Sequence, residues 1–160
     1  MIFTFYIFNK YIGCLTLHRN GKCLYYRTWS QKAKSKKAVE REQKLMFGLL
    51  YSMKAFVNKM SPKQCKLSAR LEQAENEPLY SFTTKDYKLH YLETASGLRF
   101  AMTTDPSVGR QTTFLNNIYN LYVNQCVMNP LYMMGSVIDI PYFVRKLEAM
   151  VESQPFYWPK

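Results

Sequence analysis

The stretch that most constrains the fold is Glu40 to Pro62, EREQKLMFGLLYSMKAFVNKMSP. Leu45, Met46, Leu49, Leu50, Met53, Phe56, Val57 and Met60 recur at steps of three and four, which sets them on one stripe of an α-helix. Glu40 and Glu42 suit the positive end of that helix, and Lys59 suits the other end. Pro62 disfavours helical dihedrals at Ser61, so the helix is expected to stop there. Its length, about 30 Å at about 1.5 Å per residue, is enough to cross a small sheet. Phe47 and Tyr51 lie outside the apolar stripe, beside Gly48, Ser52 and Ala55. A solvated face needs no large aromatics, and small residues let another surface approach closely. Two readings remain open from pattern alone: the aromatics lap over the edge of the core, or the helix has a second face for a partner.

Charge is unevenly placed. The net charge is +11, yet residues 1 to 70 hold 15 Lys/Arg against 2 Asp/Glu, and the remaining chain is slightly acidic. A basic half can serve nucleic acid, an anionic membrane surface or an acidic protein, or be a solvated loop. Much of the excess sits in Lys32, Lys34, Lys36 and Lys37. Nucleic-acid readers place several cations on a groove-entering helix, or interleave them with stacking aromatics. KAKSKK is too short and plain for that, so no nucleic acid is expected as a partner. Thirteen tyrosines and ten phenylalanines suit surfaces that are half-buried or shared.

The residues offer little catalytic chemistry. Cys14, Cys23, Cys65 and Cys126 include no CxxC pair, and His18 and His90 are the only histidines. That spacing excludes a zinc site of the usual kind, and the thiols read as reduced packing residues. The glycines form no phosphate-binding loop, and no nucleophile elbow occurs. No catalytic residue, metal or cofactor is expected. MIFTFYIF lacks a basic flank and is interrupted by Asn9 and Lys10, so it reads as an internal strand rather than a signal peptide or membrane span.

Along the chain, residues 2 to 8 and 11 to 18 have strand composition, and Asn20-Gly21 is a hairpin signal before a strand at Lys22 to Trp29. Ser30 to Ala38 reads as a Lys-rich linker to the long helix, and residues 63 to 78 as a loop. Leu79 to Thr84, Tyr87 to Thr94 and Leu98 to Thr104 read as successive strands joined by tight turns. His90 points away from Leu89 and Tyr91, hydrogen-bonded or solvent-facing. Helices are expected over Gln111 to Met128 and about Ile138 to Ser153, the second with Asp139 as cap and Pro141 in its first turn. Phe143, Leu147, Met150 and Val151 would face inward. Two strands, a long helix, three strands and two helices describe one α+β domain over residues 1–160. Its sheet is mostly antiparallel, with the long helix on one face and two helices on the other.

Four collinear blocks carry a resemblance. KLMFGLLYSMKAFVNKMSP (Lys44 to Pro62) resembles the first helix of the small core subunits of the trafficking protein particle (TRAPP) complex. RNGKCLYYRTW (Arg19 to Trp29) resembles their second strand and its turn, YKLHYLETASGLRF (Tyr87 to Phe100) their central hairpin, and NIYNLYVNQCVMNPLY (Asn117 to Tyr132) their second helix. Two departures stand out. Lys10 to His18 looks inserted before the Asn-Gly turn, so either MIFTFYIF or YIGCLTLH is the first strand. Lys63 to Glu77 is a longer and more polar loop than the pattern.

The resemblance implies a longin-like (SNARE-like) fold with a five-stranded sheet. It implies a non-catalytic scaffold subunit of a vesicle-tethering complex. That complex acts as guanine-nucleotide exchange factor for a Rab-family GTPase in endoplasmic-reticulum-to-Golgi transport. The implied partners are other TRAPP small subunits and, through the assembly, the GTPase. The implied location is cytoplasmic, peripheral at endoplasmic-reticulum and cis-Golgi membranes. Phe47, Gly48, Tyr51, Ser52 and Ala55 are then the candidate partner interface. Lys32, Lys34, Lys36 and Lys37 are candidates for contact with an anionic membrane or acidic partner. The competing reading is a longin-like adaptor or SNARE regulator outside TRAPP.

Overall fold

The computed structural model describes residues 2–9, 22–29, 35–60, 81–155 and 157. Strand β1 (Ile2–Asn9), β2 (Lys22–Thr28), helix α1 (Lys36–Met60), β3 (Ser81–Thr83), β4 (Lys88–Glu93), β5 (Leu98–Thr104), α2 (Thr112–Tyr122) and α3 (Pro141–Glu152) follow in that order. The strands form one sheet, β2-β1-β5-β4-β3, with every pair antiparallel. The expected α+β order and longin-like, five-stranded arrangement are therefore present. Ile2–Asn9 pairs with β2 and β5, so MIFTFYIF supplies the first strand. The expected strand at residues 11–18, the insertion, the Asn20-Gly21 turn and the loop at residues 63–77 lie outside the described residues.

β1 and β5 are central and covered on both faces, and every residue of β5 is buried. Phe5, Ile7, Phe100 and Met102 face one way, against Phe114, Leu115 and Ile118 of α2 and Phe143, Leu147 and Val151 of α3. Tyr6, Phe8, Leu89, Tyr91 and Ala101 face the other way, toward Leu50 of α1. The expected inward set of α3 is present, with Met150 only partly buried. On β2, Phe8 pairs with Cys23 and Ile7 with Tyr25, which leaves Leu24 as the extra residue of a bulge. Leu24 and Tyr25 both join the two-helix side as a result.

Several expectations are corrected. α1 begins at Lys36, not Glu40, so Lys36, Lys37 and Ala38 are helical rather than linker. The Ala38 amide donates to Ser35 Oγ at 3.3 Å, giving the helix its cap. Lysine and alanine are good helix formers once a cap precedes them. Glu40 and Glu42 consequently lie beyond the first turn, which holds no acid. The helix expected to Met128 is α2 as far as Tyr122 and a π-turn over Val123–Val127, closed by Met128 N–H donating to Val123 O at 3.0 Å. Pro141 does start α3, but its cap is Ile140 rather than Asp139, with no side-chain cap bond. The residue before a proline is held extended, and that geometry starts the helix here. β3 is described over Ser81–Thr83 and ends one residue before the expected Thr84, while residues 79 and 80 lie outside the described residues.

Candidate partner interface

α1 is held on the sheet by a narrow strip. Leu50 is fully buried, a contribution of about 1.5–3 kcal/mol, and Met46 and Phe47 pack beside it. The Phe47 ring meets Phe8 edge-on at 5.7 Å between centroids. It also lies under the Arg99 guanidinium, 5.3 Å from the ring centre. Two polar contacts flank this strip and fix the rotation of the helix. Tyr6 donates its hydroxyl to Glu42 Oε1 at 2.9 Å, and Lys54 Nζ donates to Glu93 Oε2 at 2.7 Å.

Glu93 is the hub of a charged cluster under α1. It also accepts from the Tyr91 hydroxyl at 3.0 Å and pairs with Arg99 Nε at 3.6 Å. Burial alone would raise the Glu93 carboxyl, but the Lys54 hydrogen bond and the Arg99 charge outweigh it and hold it below its ordinary range. Burial, with the Glu93 charge behind it, pushes the Tyr91 phenol up. Arg99 is only 3% exposed, and among the described residues its Nε and Nη1 make no hydrogen bond. Its charge is compensated by Glu93 and by the Phe47 face. Deleting either would leave a buried cation unbalanced.

These contacts settle which way each candidate residue points. Phe47 belongs to the sheet-facing side and is not on the outer face where periodicity set it. Ala55 is half-buried; Gly48, Tyr51 and Ser52 are exposed. A Cβ added at Gly48 would meet nothing within 4 Å. Part of the expected core stripe is turned outward instead: Leu45 is 66% exposed, Phe56 58% and Met60 68%, with Tyr51 at 57%. Leu45, Leu49, Ser52, Phe56 and Met60 follow at steps of four, three, four and four, so they form one outer stripe. Lys36 and Lys37 are exposed on the first turn, along with Arg41, Lys44 and Lys59 further on. Lys32 and Lys34 lie outside the described residues.

Leu45, Phe56 and Met60 were the residues that periodicity misplaced. The stripe from Leu45 to Met60 is wide, and either half of it could have met the sheet. The signal that distinguishes them is Glu42 and Lys54, twelve positions apart and on one side of the helix with Leu50. Each finds a sheet partner. The outer stripe is thus an apolar patch left exposed on a helix whose inner face is packed on the sheet. Exposed basic side chains surround it.

Among the described residues, Cys23, Cys126 and His90 are packed into the fold. Cys126 is fully buried and its thiol is pushed up to about 11 by burial, as expected of a packing residue. Burial pushes Cys23 up to about 12. Cys14 and Cys65 lie outside the described residues. His90 is buried and shares a 2.9 Å hydrogen bond with Thr104 Oγ1, so it is the hydrogen-bonded histidine of the two expected alternatives. No helix among the described residues is long and apolar enough to cross a membrane.

Residues 2–154 match the Sybindin-like family. The chain is 40% identical over 140 residues to trafficking protein particle complex subunit 1 of Rattus norvegicus, covering 87% of this chain and 90% of that protein. It is 34% identical over 158 residues to the subunit of the same name from Dictyostelium discoideum, covering 98% and 99%. It is 30% identical over 134 residues to transport protein particle subunit bet5 of Schizosaccharomyces pombe, covering 82% and 79%. With relatives of matching length and a family match that spans all but two of the described residues, the chain belongs to the Sybindin-like family.

Proposed function

We propose that this chain is a non-catalytic scaffold subunit of a TRAPP-type vesicle-tethering complex. The observation that carries the reading is α1: a helix whose inner face is satisfied by the sheet and whose outer face still exposes Leu45, Tyr51, Phe56 and Met60. The names of the relatives supply the kind of assembly. Ser52 and Tyr51 belong to that face, Gly48 lies exposed between them and Phe47 supports it from below. In this reading another small TRAPP subunit covers the face. The assembled complex serves as exchange factor for a Rab-family GTPase in endoplasmic-reticulum-to-Golgi transport, working peripherally at those membranes. The exposed cations Lys36 and Lys37, continuing the run from Lys32 and Lys34, would meet an acidic partner or an anionic membrane surface.

The test is purification of the tagged chain from its own cells with quantification of stable partners. TRAPP small subunits in near-equal amounts are expected. Gly48→Leu and Tyr51→Asp should each lose the α1 partner while staying folded, Tyr51→Asp melting like the unaltered chain and Gly48→Leu no lower. A partner set without TRAPP subunits would overturn the reading in favour of a longin-like adaptor elsewhere.

A further inference from the structure

A second exposed surface lies on the other side of the sheet from α1. From Gln111 to Ile138, a run of 28 residues carries no charged side chain, although 21% of the chain is charged. This run forms α2, the π-turn and the connection to α3. Its apolar side chains divide sharply. Tyr122, Cys126 and Ile138 are buried, whereas Leu131 is 92% exposed, Met133 79% and Met134 66%. Next to Met134 opens a cavity of about 300 Å³, lined by Leu98, Tyr119, Tyr122, Val123, Val127 and Met134 among others.

The connection is held, not loose. Asn129 Oδ1 accepts from the Leu131 amide at 3.0 Å, and Asn129 O from the Tyr132 amide at 3.0 Å. The Tyr132 hydroxyl donates to Ser136 O at 2.8 Å. The Ser136 amide donates to Met133 O at 3.0 Å, with Gly135 at φ 82 supplying the left-handed turn. The Ile138 amide donates to Leu24 O on the edge strand at 2.8 Å. Successive turns thus pin Tyr132 and Ile138 inward and hold Leu131, Met133 and Met134 outward. A loop free to rearrange would bury its methionines. This one presents them, already ordered, with Met134 at the wall of the cavity.

We propose that this charge-free face is a second docking surface, and that its occupant is an uncharged apolar segment of another protein chain, seated with one large side chain in the cavity. The inference rests on the scaffold reading above and adds a second, chemically distinct face to it. Charge decides the occupant. A segment bringing Lys, Arg, Asp or Glu to this face would find no side chain of residues 111–138 to pair the buried charge. The composition is that of an interface core, rich in Tyr and Met and depleted of charge. The exposed amides of Asn116, Asn120 and Asn124, spaced four apart along α2 and the π-turn, add donors and acceptors beside it. Lipid headgroups are a poorer match, since no cation from this run stands ready for phosphate.

The experiment is co-expression of the full chain with the TRAPP small subunits of its own organism, read by native mass spectrometry and by titration of each subunit. Met134→Glu and Leu131→Glu change exposed side chains, so both should melt like the unaltered chain. If one misfolds, the other serves. The expected result is at least a tenfold loss of affinity for one subunit, and that subunit is retained by Tyr51→Asp on α1. Met134→Leu should restore it. Unchanged composition and affinity in Met134→Glu would overturn the proposal, as would loss of the same subunit by Met134→Glu and Tyr51→Asp. A self-association of the unaltered chain that Met134→Glu abolishes would assign the face to a second copy and overturn the stated occupant. If the unaltered chain assembles and Met134→Glu assembles equally, only this inference fails. If the unaltered chain takes up no TRAPP subunit, the scaffold reading fails with it.

Discussion

His90 shows how one residue links the fold to solution conditions. Thr104 donates its hydroxyl to Asp105 O at 3.1 Å, so toward His90 it acts as acceptor, and His90 Nε2 carries the proton. His90 Nδ1 is then a buried lone pair with no hydrogen-bond partner among the described residues. Burial, and secondly the Lys88 charge, push the imidazole down to about 4 from an ordinary 6.5. The unfolded chain therefore binds the proton that the folded chain refuses, and stability falls as pH drops from about 6.5 toward 4, by up to about 1.4 kcal/mol per pH unit from this group. Urea melts at pH 7.5, 6.5 and 5.5 should show that slope, and His90→Gln should flatten it. Equal slopes in the two proteins would show that the charge on His90 is tolerated. Alternation along β4 was enough to orient His90. Its isolation was not legible, because the Thr104 partner arrives from another strand.

At the scale of the element, α1 separates what sequence can and cannot state. Its existence and its approximate end follow from period and from Pro62. Its start does not, because the lysine run masked the Ser35 cap. Nor does its rotation, which is set by Glu42 meeting Tyr6 and Lys54 meeting Glu93. Those contacts join residues 36 and 39 positions apart, beyond any local pattern. The same lack of local information explains why the pattern leaves Phe47 between two readings: the cation that needs its face, Arg99, lies on β5. Gly48 offers a test of the helix apart from its partner. It is helical, exposed, and has open space where a Cβ would go. Gly48→Ala should stabilise the isolated chain by about 0.5–1 kcal/mol through helix propensity alone. Chemical denaturation measures this, and a destabilised Gly48→Ala would show that position 48 is not free.

For the whole molecule, the sheet separates a basic surface from an uncharged one. The outer face of α1 carries exposed Lys36, Lys37, Arg41, Lys44 and Lys59 around Leu45 and Phe56, with Glu40 the exposed acid on the helix. The face formed by residues 111–138 carries no charge at all. Attraction between a basic face and an acidic partner acts over a Debye length, about 10 Å at 0.1 M salt and about 3 Å at 1 M. Association steered that way slows as salt rises, by about tenfold or more between dilute and molar salt. Apolar docking on the charge-free face has no such term, and salts that strengthen burial leave it equal or tighter. Association rates for each subunit should therefore separate into two groups when salt is raised from about 0.05 to about 0.5 M. The subunit lost by Tyr51→Asp should slow, and the subunit lost by Met134→Glu should not. Were both to slow alike, the second contact would reach the cations of α1, and the two faces would be one continuous surface wrapping the edge of the sheet.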